Sequence, residues 1–377
     1  MYKAYKFRMY PTDTQLTIIN KNFGCKRFVY NHFLNKIKNT KKLYPSNCIT
    51  NLNNNLKKEY QFLEEIDNQI LYKSIYNLYD NLKKHNNNNF GLPKFKSKYN
   101  KNSYTILASH KKLQNKNCCN IEIDIKNKLI NLPILNSVKI RGYRNLDKIN
   151  GKIKSVTISK EPTGKYYISI LCELPSPSPI PLPKTIIGID VGVKNLLTLS
   201  DGITITNNKY IEKYEKRIKR WQKALNRKQK GSNNYYKCKQ KLAKLYSKLK
   251  NARKYHTHKI TKKITEEYDI ISCENLKTKN MIEQKIMSKQ ITDATLSEII
   301  RQLGYKAKWK GKYFYQIDTY YPSSQICSVC GNQDKKYKNI NLRNYECSIC
   351  NSIIDRDLNA SINIMYEGLK QYMNKTL

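Results

Sequence analysis

The chain has 377 residues, of which 71 are Lys or Arg and 28 are Asp or Glu, a formal net charge of +43. So large an excess repels itself in a compact fold unless an anionic partner neutralises it, and polyphosphate backbones are the usual one, so nucleic acid is the expected partner. No membrane partner is expected: there is no apolar run near the roughly 18 residues of a span and no basic amphipathic helix with a wide apolar face, and the alternating, charged N-terminus from Met1 to Tyr10 does not read as a signal peptide.

An intracellular protein is therefore expected, in the cytoplasm or nucleoid, or in a nucleus or viral factory if the host is not bacterial. The cysteines agree with a reducing compartment. There are eleven, an odd number, and seven remain scattered once a C-terminal set of four is taken out. The length leaves room for two to four domains and a sizeable core.

Near the N-terminus, Tyr5, Phe7 and Met9 alternate with Lys6 and Arg8, predicting a short strand that Pro11 ends. Thr12 and Gln15 form a capping box, and Leu16, Ile19, Phe23, Tyr30, Phe33, Leu34 and Ile37 continue at helical spacing. A second helix is expected from Leu52, Leu56, Leu63, Ile66, Ile70, Ile75, Leu78 and Leu82, which recur at threes and fours with a couple of slips. Both stripes read as core.

A polar loop from Asn86 to Asn89 follows, and then Lys94, Lys96 and Lys98 alternate around Phe95. That layout suits three ammonium groups set along a phosphate track, so these lysines are the candidate nucleic-acid contacts, against the plainer reading of a solvated charged strand. Short β-rich runs come next at Ile121 to Ile125, Leu129 to Ile134, Val138 to Arg141, Val156 to Ser159 and Tyr166 to Leu171, punctuated by Gly142, Gly151 and Gly164. Residues 1–10 and 103–174 are thus expected to make a small β-barrel, with a helical lobe at 11–102.

Five alternating prolines from Pro175 to Pro183 favour extended polyproline geometry and mark a linker at 175–184. Thr185 to Val191 then reads as a buried strand containing one carboxylate, Asp190. An ionised Asp in an apolar run needs a cation or a strong hydrogen-bond network. A second apolar run from Tyr268 ends in another carboxylate, Glu274, and between the two lies a basic stretch, about 213–264, expected to fold as a helical hairpin on Trp221, Leu225, Leu242, Leu245 and Leu249.

Cys327, Cys330, Cys347 and Cys350 form two C-x2-C knuckles sixteen residues apart, with Gly331 suited to a knuckle turn. One structural zinc ion is expected there, because four thiolates fill a tetrahedral shell and leave no position for water. The acidic run at Asp355 and Asp357 opens a last helix with apolar positions Leu358, Ile362, Met365, Leu369 and Met373. Capping suits Asp355 and leaves Asp357 free as a ligand. Asp190, Glu274 and Asp357, from two strands and a helix start, could together hold two divalent ions for phosphodiester hydrolysis.

The order strand with Asp190, strand with Glu274, cysteine ribbon and helix with Asp357 resembles the RuvC-type nuclease domain of the TnpB (OrfB) proteins of bacterial insertion sequences, relatives of type V CRISPR effectors and Fanzor proteins. The blocks that carry it are Gly188 to Gly192, Glu274 to Leu276 with Asn280 and Met281, Tyr321 to Ser324, Asp355 to Ala360, and in the N-terminal half Pro93 to Lys98, Lys152 to Thr157 and Gly164 to Tyr167.

The resemblance implies a multidomain α/β protein: a WED-like β-barrel and a helical recognition lobe, then an RNase H-like (RuvC) nuclease domain at 185–321 and 355–377 with a zinc ribbon inserted at 322–354 to bind target nucleic acid. It implies Asp190, Glu274 and Asp357 as catalytic magnesium ligands, and an RNA-guided, Mg-dependent DNA endonuclease of a transposable element that works as a monomeric ribonucleoprotein on double-stranded target DNA. Two other readings stand beside it: a guide-independent RNase H-like transposase or resolvase, and a cleavage-dead nucleic-acid-binding regulator.

Overall fold

A computed structural model of the chain describes residues 1–40, 44–87, 90–113, 116–142, 151–193, 195–276, 288–339 and 341–376. The block at Asn280 and Met281 lies outside the described residues, as do Asn88 and Asn89 of the polar loop. The chain divides into two compact units, Met1–Pro175 and Ser176–Leu377, and the division falls at the first of the alternating prolines.

In the first unit, strand β1 (Tyr2–Tyr10) leads into helix α1 (Asp13–Thr40). The turn between them is fixed by the expected capping box. Thr12 N donates to Gln15 Oε1 at 3.0 Å, and Gln15 N donates back to Thr12 Oγ1 at 3.3 Å. The Gln15 amide also donates to the carbonyls of Leu135 and Ser137, so one side chain caps the helix and ties it to the sheet.

The expected second helix is broken. Short helices α2 (Pro45–Asn51) and α3 (Lys57–Glu59) flank a π-helical turn at Leu52–Leu56, a 3-10 turn spans Gln61–Leu63, and only α4 (Asn68–Asn86) is long. Asp67 caps α4 by accepting from Gln69 N at 2.9 Å. The slips in the apolar spacing mark these breaks: Leu52, Leu56, Leu63, Ile70, Leu71, Ile75 and Leu78 are still all buried, because each fragment turns its own apolar side to one core.

The remaining strands are β2 (Asn102–Leu107), β3 (His110–Leu113), β4 (Lys116–Cys119), β5 (Glu122–Asp124), β6 (Leu129–Leu132), β7 (Asn136–Arg141), β8 (Lys152–Lys160) and β9 (Tyr166–Glu173). Six of them, with β1, form one seven-stranded antiparallel sheet in the order β2-β8-β9-β1-β7-β6-β5, and β3 pairs with β4 alone. Among the described residues no ladder joins the edge strands β2 and β5, so the expected barrel is here an open seven-stranded order. Tyr5, Phe7 and Met9 of β1 point into the core with Ile168 and Ile170 of β9 and the stripe of α1.

The second unit is built on a five-stranded sheet, β12-β11-β10-β13-β14, of β10 (Ile186–Val191), β11 (Asn195–Leu199), β12 (Thr204–Thr206), β13 (Ile270–Glu274) and β14 (Tyr313–Ile317). The first three run as an antiparallel meander, and β13 and β14 add in parallel to β10. Near-continuous burial of Ile187, Ile189, Ile271 and Cys273 is what central strands covered on both faces require.

Between β12 and β13 stands the expected helical hairpin, α5 (Tyr210–Asn226) and α6 (Asn233–Glu267), closed on Ile218, Leu245 and Leu249 with Trp221 and Leu242 partly buried. Arg253 of α6 pairs with the buried Asp293 at 2.7 Å, and Asp293 accepts from Ile211 N of α5 at 2.9 Å. Asp293 lies in the last turn of the short helix α7 (Ser288–Ala294). The helix α8 (Leu296–Trp309) and β14 are not among the elements expected from the sequence. The last elements are the small hairpin β15 (Asn344–Glu346) and β16 (Ile353–Asp355), then α9 (Arg356–Thr376), which lies across β10 and β13.

Candidate carboxylate site and four-cysteine metal centre

Parallel pairing of β10 and β13 aligns Ile189 with Cys273, which sets Asp190 and Glu274 one position further along, side by side at the ends of neighbouring strands. The third acid arrives on α9, and a glycine lets it come close. A Cβ on Gly188 would sit 2.0 Å from the Ser361 carbonyl and 2.5 Å from Met365 N, so only a residue without a side chain lets α9 lie on β10 at this distance. Asp355 caps the helix, its Oδ1 accepting from Asp357 N at 2.9 Å and Leu358 N at 3.1 Å. The Asp357 carboxylate is thereby left for other work.

Asp190 senses the other two carboxylates. Burial first, and then the charges of Glu274 and Asp357, push the Asp190 carboxyl well above the ordinary carboxylate range, while the Val191 amide and the Arg356 guanidinium pull the other way. Burial also raises Glu274, and a hydrogen bond from Ser323 Oγ at 2.8 Å opposes it. A buried acid whose ionisation two nearby carboxylates oppose makes, with them, a candidate donor set for a cation. All their donors are oxygens, which suits a hard ion such as Mg²⁺. Among the described residues they are spaced more widely than a single tight cluster, since the group whose donor atoms all lie within 4.8 Å of one another is the set of four cysteines.

Cys327, Cys330, Cys347 and Cys350 make that cluster. Their sulfurs stand 3.7 Å apart for Cys327 and Cys350 and 3.5 Å for Cys330 and Cys347. Tetrahedral zinc with bonds of about 2.3 Å places its sulfurs about 3.8 Å apart, so the residues fit the ion. The two knuckles repeat one geometry: Gly331 N donates to Cys327 O at 2.9 Å, and Asn351 N donates to Cys347 O at 3.0 Å. Both turn residues have positive φ, +78° at Gly331 and +55° at Asn351. The sequence points to the glycine and not to the asparagine, although Asn is the residue that best tolerates the same left-handed turn.

Burial works against a thiolate at Cys327, but hydrogen bonds from Ser352 and from backbone amides outweigh it and hold this thiol down to about 6. Stacked Tyr337 and Tyr345, with ring centroids 4.1 Å apart, fill the small core beside the cluster.

In the first unit the three candidate lysines are not alike. Lys94 and Lys98 are exposed in an irregular segment, and Lys96 is half-buried. Asn31 clamps the Lys96 backbone by two hydrogen bonds of 2.8 Å, and the ammonium lies 3.5 Å over the Tyr30 ring. Sequence reasoning missed Lys26, which donates to Ser103 O at 2.7 Å. Burial, and then the charges of Lys96 and Lys73, lower its pKa to about 8. Its signal was weak: one lysine among many on the polar side of a helix.

Fold and sites thus define a mixed α/β protein with an acidic cluster at its strand ends and a four-cysteine metal centre. Three family models match in chain order: the IS605 OrfB family, described as "Probable transposase", at residues 169–285; the Cas12f1-like TNB domain at 297–364; and the OrfB "Helix-turn-helix domain" at 1–42. The last span holds a strand and one continuous helix here. Over these spans the chain is similar to the OrfB (TnpB) family of insertion-sequence proteins.

Relatives named "Putative RNA-guided DNA endonuclease" include one from Streptomyces pristinaespiralis, 28% identical over 97% of this chain and 89% of its own length, and InsQ of Escherichia coli K12, 28% identical over 97% and 92%. The TnpB-like protein L79 of Acanthamoeba polyphaga mimivirus is 22% identical over 58% of this chain and 44% of its own. Among solved structures, a chain of the Cas12f1–sgRNA–target DNA complex matches with a TM-score of 0.57 and 15% identity, over 97% of this chain and 98% of that one, a likeness of fold. Among the described residues no helix is long and apolar enough to cross a membrane.

Proposed function

We propose that the protein is an RNA-guided DNA endonuclease of a transposable element, whose second unit is an RNase H-like (RuvC) nuclease with Asp190, Glu274 and Asp357 as catalytic metal ligands. The observation that carries this reading is the meeting of three acids from β10, β13 and the start of α9, where each raises the cost of ionising Asp190. A meander of three strands extended by two parallel strands, with a helix laid across the centre, supports the RuvC-type assignment. So do the names carried by relatives aligned over nearly their whole length.

When bound, a pair of Mg²⁺ ions would supply an activated water and stabilise the leaving oxygen of a phosphodiester. The protein's part is to hold the oxygens: two on rigid strand ends, the third on a helix whose cap is satisfied by Asp355. Zinc on Cys327, Cys330, Cys347 and Cys350 is structural in this reading. Lys94, Lys96 and Lys98 bind nucleic acid, and the protein acts inside the cell as a monomeric ribonucleoprotein. Base pairing by a guide RNA supplies sequence choice, and the surplus of cations serves the phosphates of guide and target.

Expression with the native flanking DNA tests the reading. The purified protein should carry one discrete RNA, and reprogramming that RNA should redirect Mg²⁺-dependent cutting. Asp190→Ala should abolish cleavage, by at least about 10³-fold, and leave RNA and DNA binding intact. RNA-free protein that cuts structured DNA would overturn the guided reading in favour of a resolvase.

A further inference from the structure

The residues from Ser323 to Ser328 run from the carboxylate site to the first cysteine knuckle, and both ends are tied to groups described above. At one end Ser323, which is 4% exposed, donates its hydroxyl to Glu274 Oε1 at 2.8 Å. At the other, Cys327 enters the four-cysteine cluster.

Between them, two buried amides of α9 hold the segment down. Asn363 Nδ2 donates to Ser323 O at 2.8 Å and to Ile326 O at 2.7 Å. Asn359 Nδ2 donates to Ile326 O at 2.7 Å, and its Oδ1 accepts from Ser328 N, inside the knuckle, at 2.8 Å. Asn359 is fully buried and Asn363 is 4% exposed. They stand four residues apart, on one face of α9. Asn359 must donate and accept at once, which an ionised carboxylate, an apolar side chain or an ammonium cannot do.

We propose that Asn359 and Asn363 are positioning residues that couple the two metal sites. They fasten the 323–328 strap to α9, so that zinc on the cysteines fixes the Ser323 hydroxyl against Glu274 and the first turn of α9, with Asp357, against the strand ends. The strap transmits order because its Ser323 and Ile326 carbonyls and its Ser328 amide are all bonded to α9, and a buried amide left unpaired would cost more than the bond gained. This rests on the metal reading of the carboxylates given above.

The test uses the full-length protein and Mn²⁺ as the probe ion, with free Mn²⁺ measured by EPR and zinc by elemental analysis. In zinc-loaded protein, Ser323→Ala, Asn359→Ala and Asn363→Ala should each weaken Mn²⁺ binding about tenfold, the usual effect of removing an outer hydrogen-bond partner of a ligand. Ser323→Thr should restore it. Stripping zinc from the wild type should weaken Mn²⁺ binding similarly, and should add little in Asn359→Ala, where the strap is already cut.

Ser323→Ala removes a single oxygen and guards against misfolding of the amide variants. Mn²⁺ affinity unchanged by zinc removal and by these substitutions would overturn the coupling. So would Asn359→Ala protein that loses zinc and binds Mn²⁺ as before, which is a local structural role. A zinc-loaded wild type that binds no Mn²⁺ would instead overturn the metal reading beneath it.

Discussion

Ionising Asp190 in the metal-free protein is opposed by burial and by two neighbouring carboxylates, and the sign of the consequence for stability is fixed. A carboxyl whose folded pKa is raised keeps its proton in the folded state after the unfolded chain has released it, so stability falls as pH climbs from the ordinary carboxylate range, about 4, through the raised values of Asp190 and Glu274. Thermal melts of metal-free protein should show that decline, Asp190→Asn should flatten it, and added Mg²⁺ should reverse it at neutral pH.

Lys26 gives a second case at this scale. Its folded pKa of about 8 lies below the unfolded value, so it destabilises the first unit at neutral pH, and the penalty lifts as pH rises through that window toward the ordinary lysine range. Lys26→Met should therefore raise the melting temperature at pH 7, and it should lower affinity for RNA if a phosphate docks beside Lys26 and Lys96, neither of which has an acid among its strongest influences.

Helix α9 illustrates what an element must do beyond being a helix. It has to lie on β10 at Gly188, where a methyl group would meet backbone atoms of Ser361 and Met365 that cannot swing aside. Gly188→Ala should cost about 3 kcal/mol of second-unit stability in urea titrations and reduce cleavage more than guide binding, since it lifts Asp357 away from Asp190. The periodic sequence of α9 was readable, as were the capping box at Thr12, the helical hairpin and both knuckles, because each depends on residues within a few positions of one another.

The second helix was not readable as it stands. Leu52 to Leu82 carry a helical stripe, and the breaks at Tyr60 and Asp67 follow from how each fragment meets the core. Helix α8 escaped for another reason: Leu296, Ile299, Ile300, Leu303 and Ala307 do step at threes and fours, a signal of ordinary strength beside two metal motifs. Asp293, bonded to Arg253 and Ile211 N, has no local signature.

For the whole molecule the dominant fact is charge, +43 over 377 residues. If guide and target phosphates neutralise it, RNA affinity should fall steeply with salt, by about 10³ to 10⁵ between 50 and 200 mM for six to ten phosphate contacts. Lys94→Ala and Lys98→Ala should each lower the log–log slope by about one. Lys96→Ala should do the same and in addition loosen the Tyr30 and Asn31 anchor, a difference visible as a lower melting temperature for that variant alone.

The sequence by itself pointed to a polyanionic partner, to four cysteines that the structure brings into one cluster, to three candidate acids and to the family resemblance, because charge, cysteine spacing and an acid at the end of an apolar run are properties of composition and short-range order. Only the tertiary structure decided that Asp190 and Glu274 sit side by side, that Lys96 folds onto Tyr30, and that Asn359 and Asn363 tie the segment from Ser323 to the first cysteine knuckle onto the last helix. Those are contacts between residues up to 84 positions apart, as Asp190 and Glu274 are, fixed by strand register and by how closely a helix can approach a sheet, and no short window along the chain contains them.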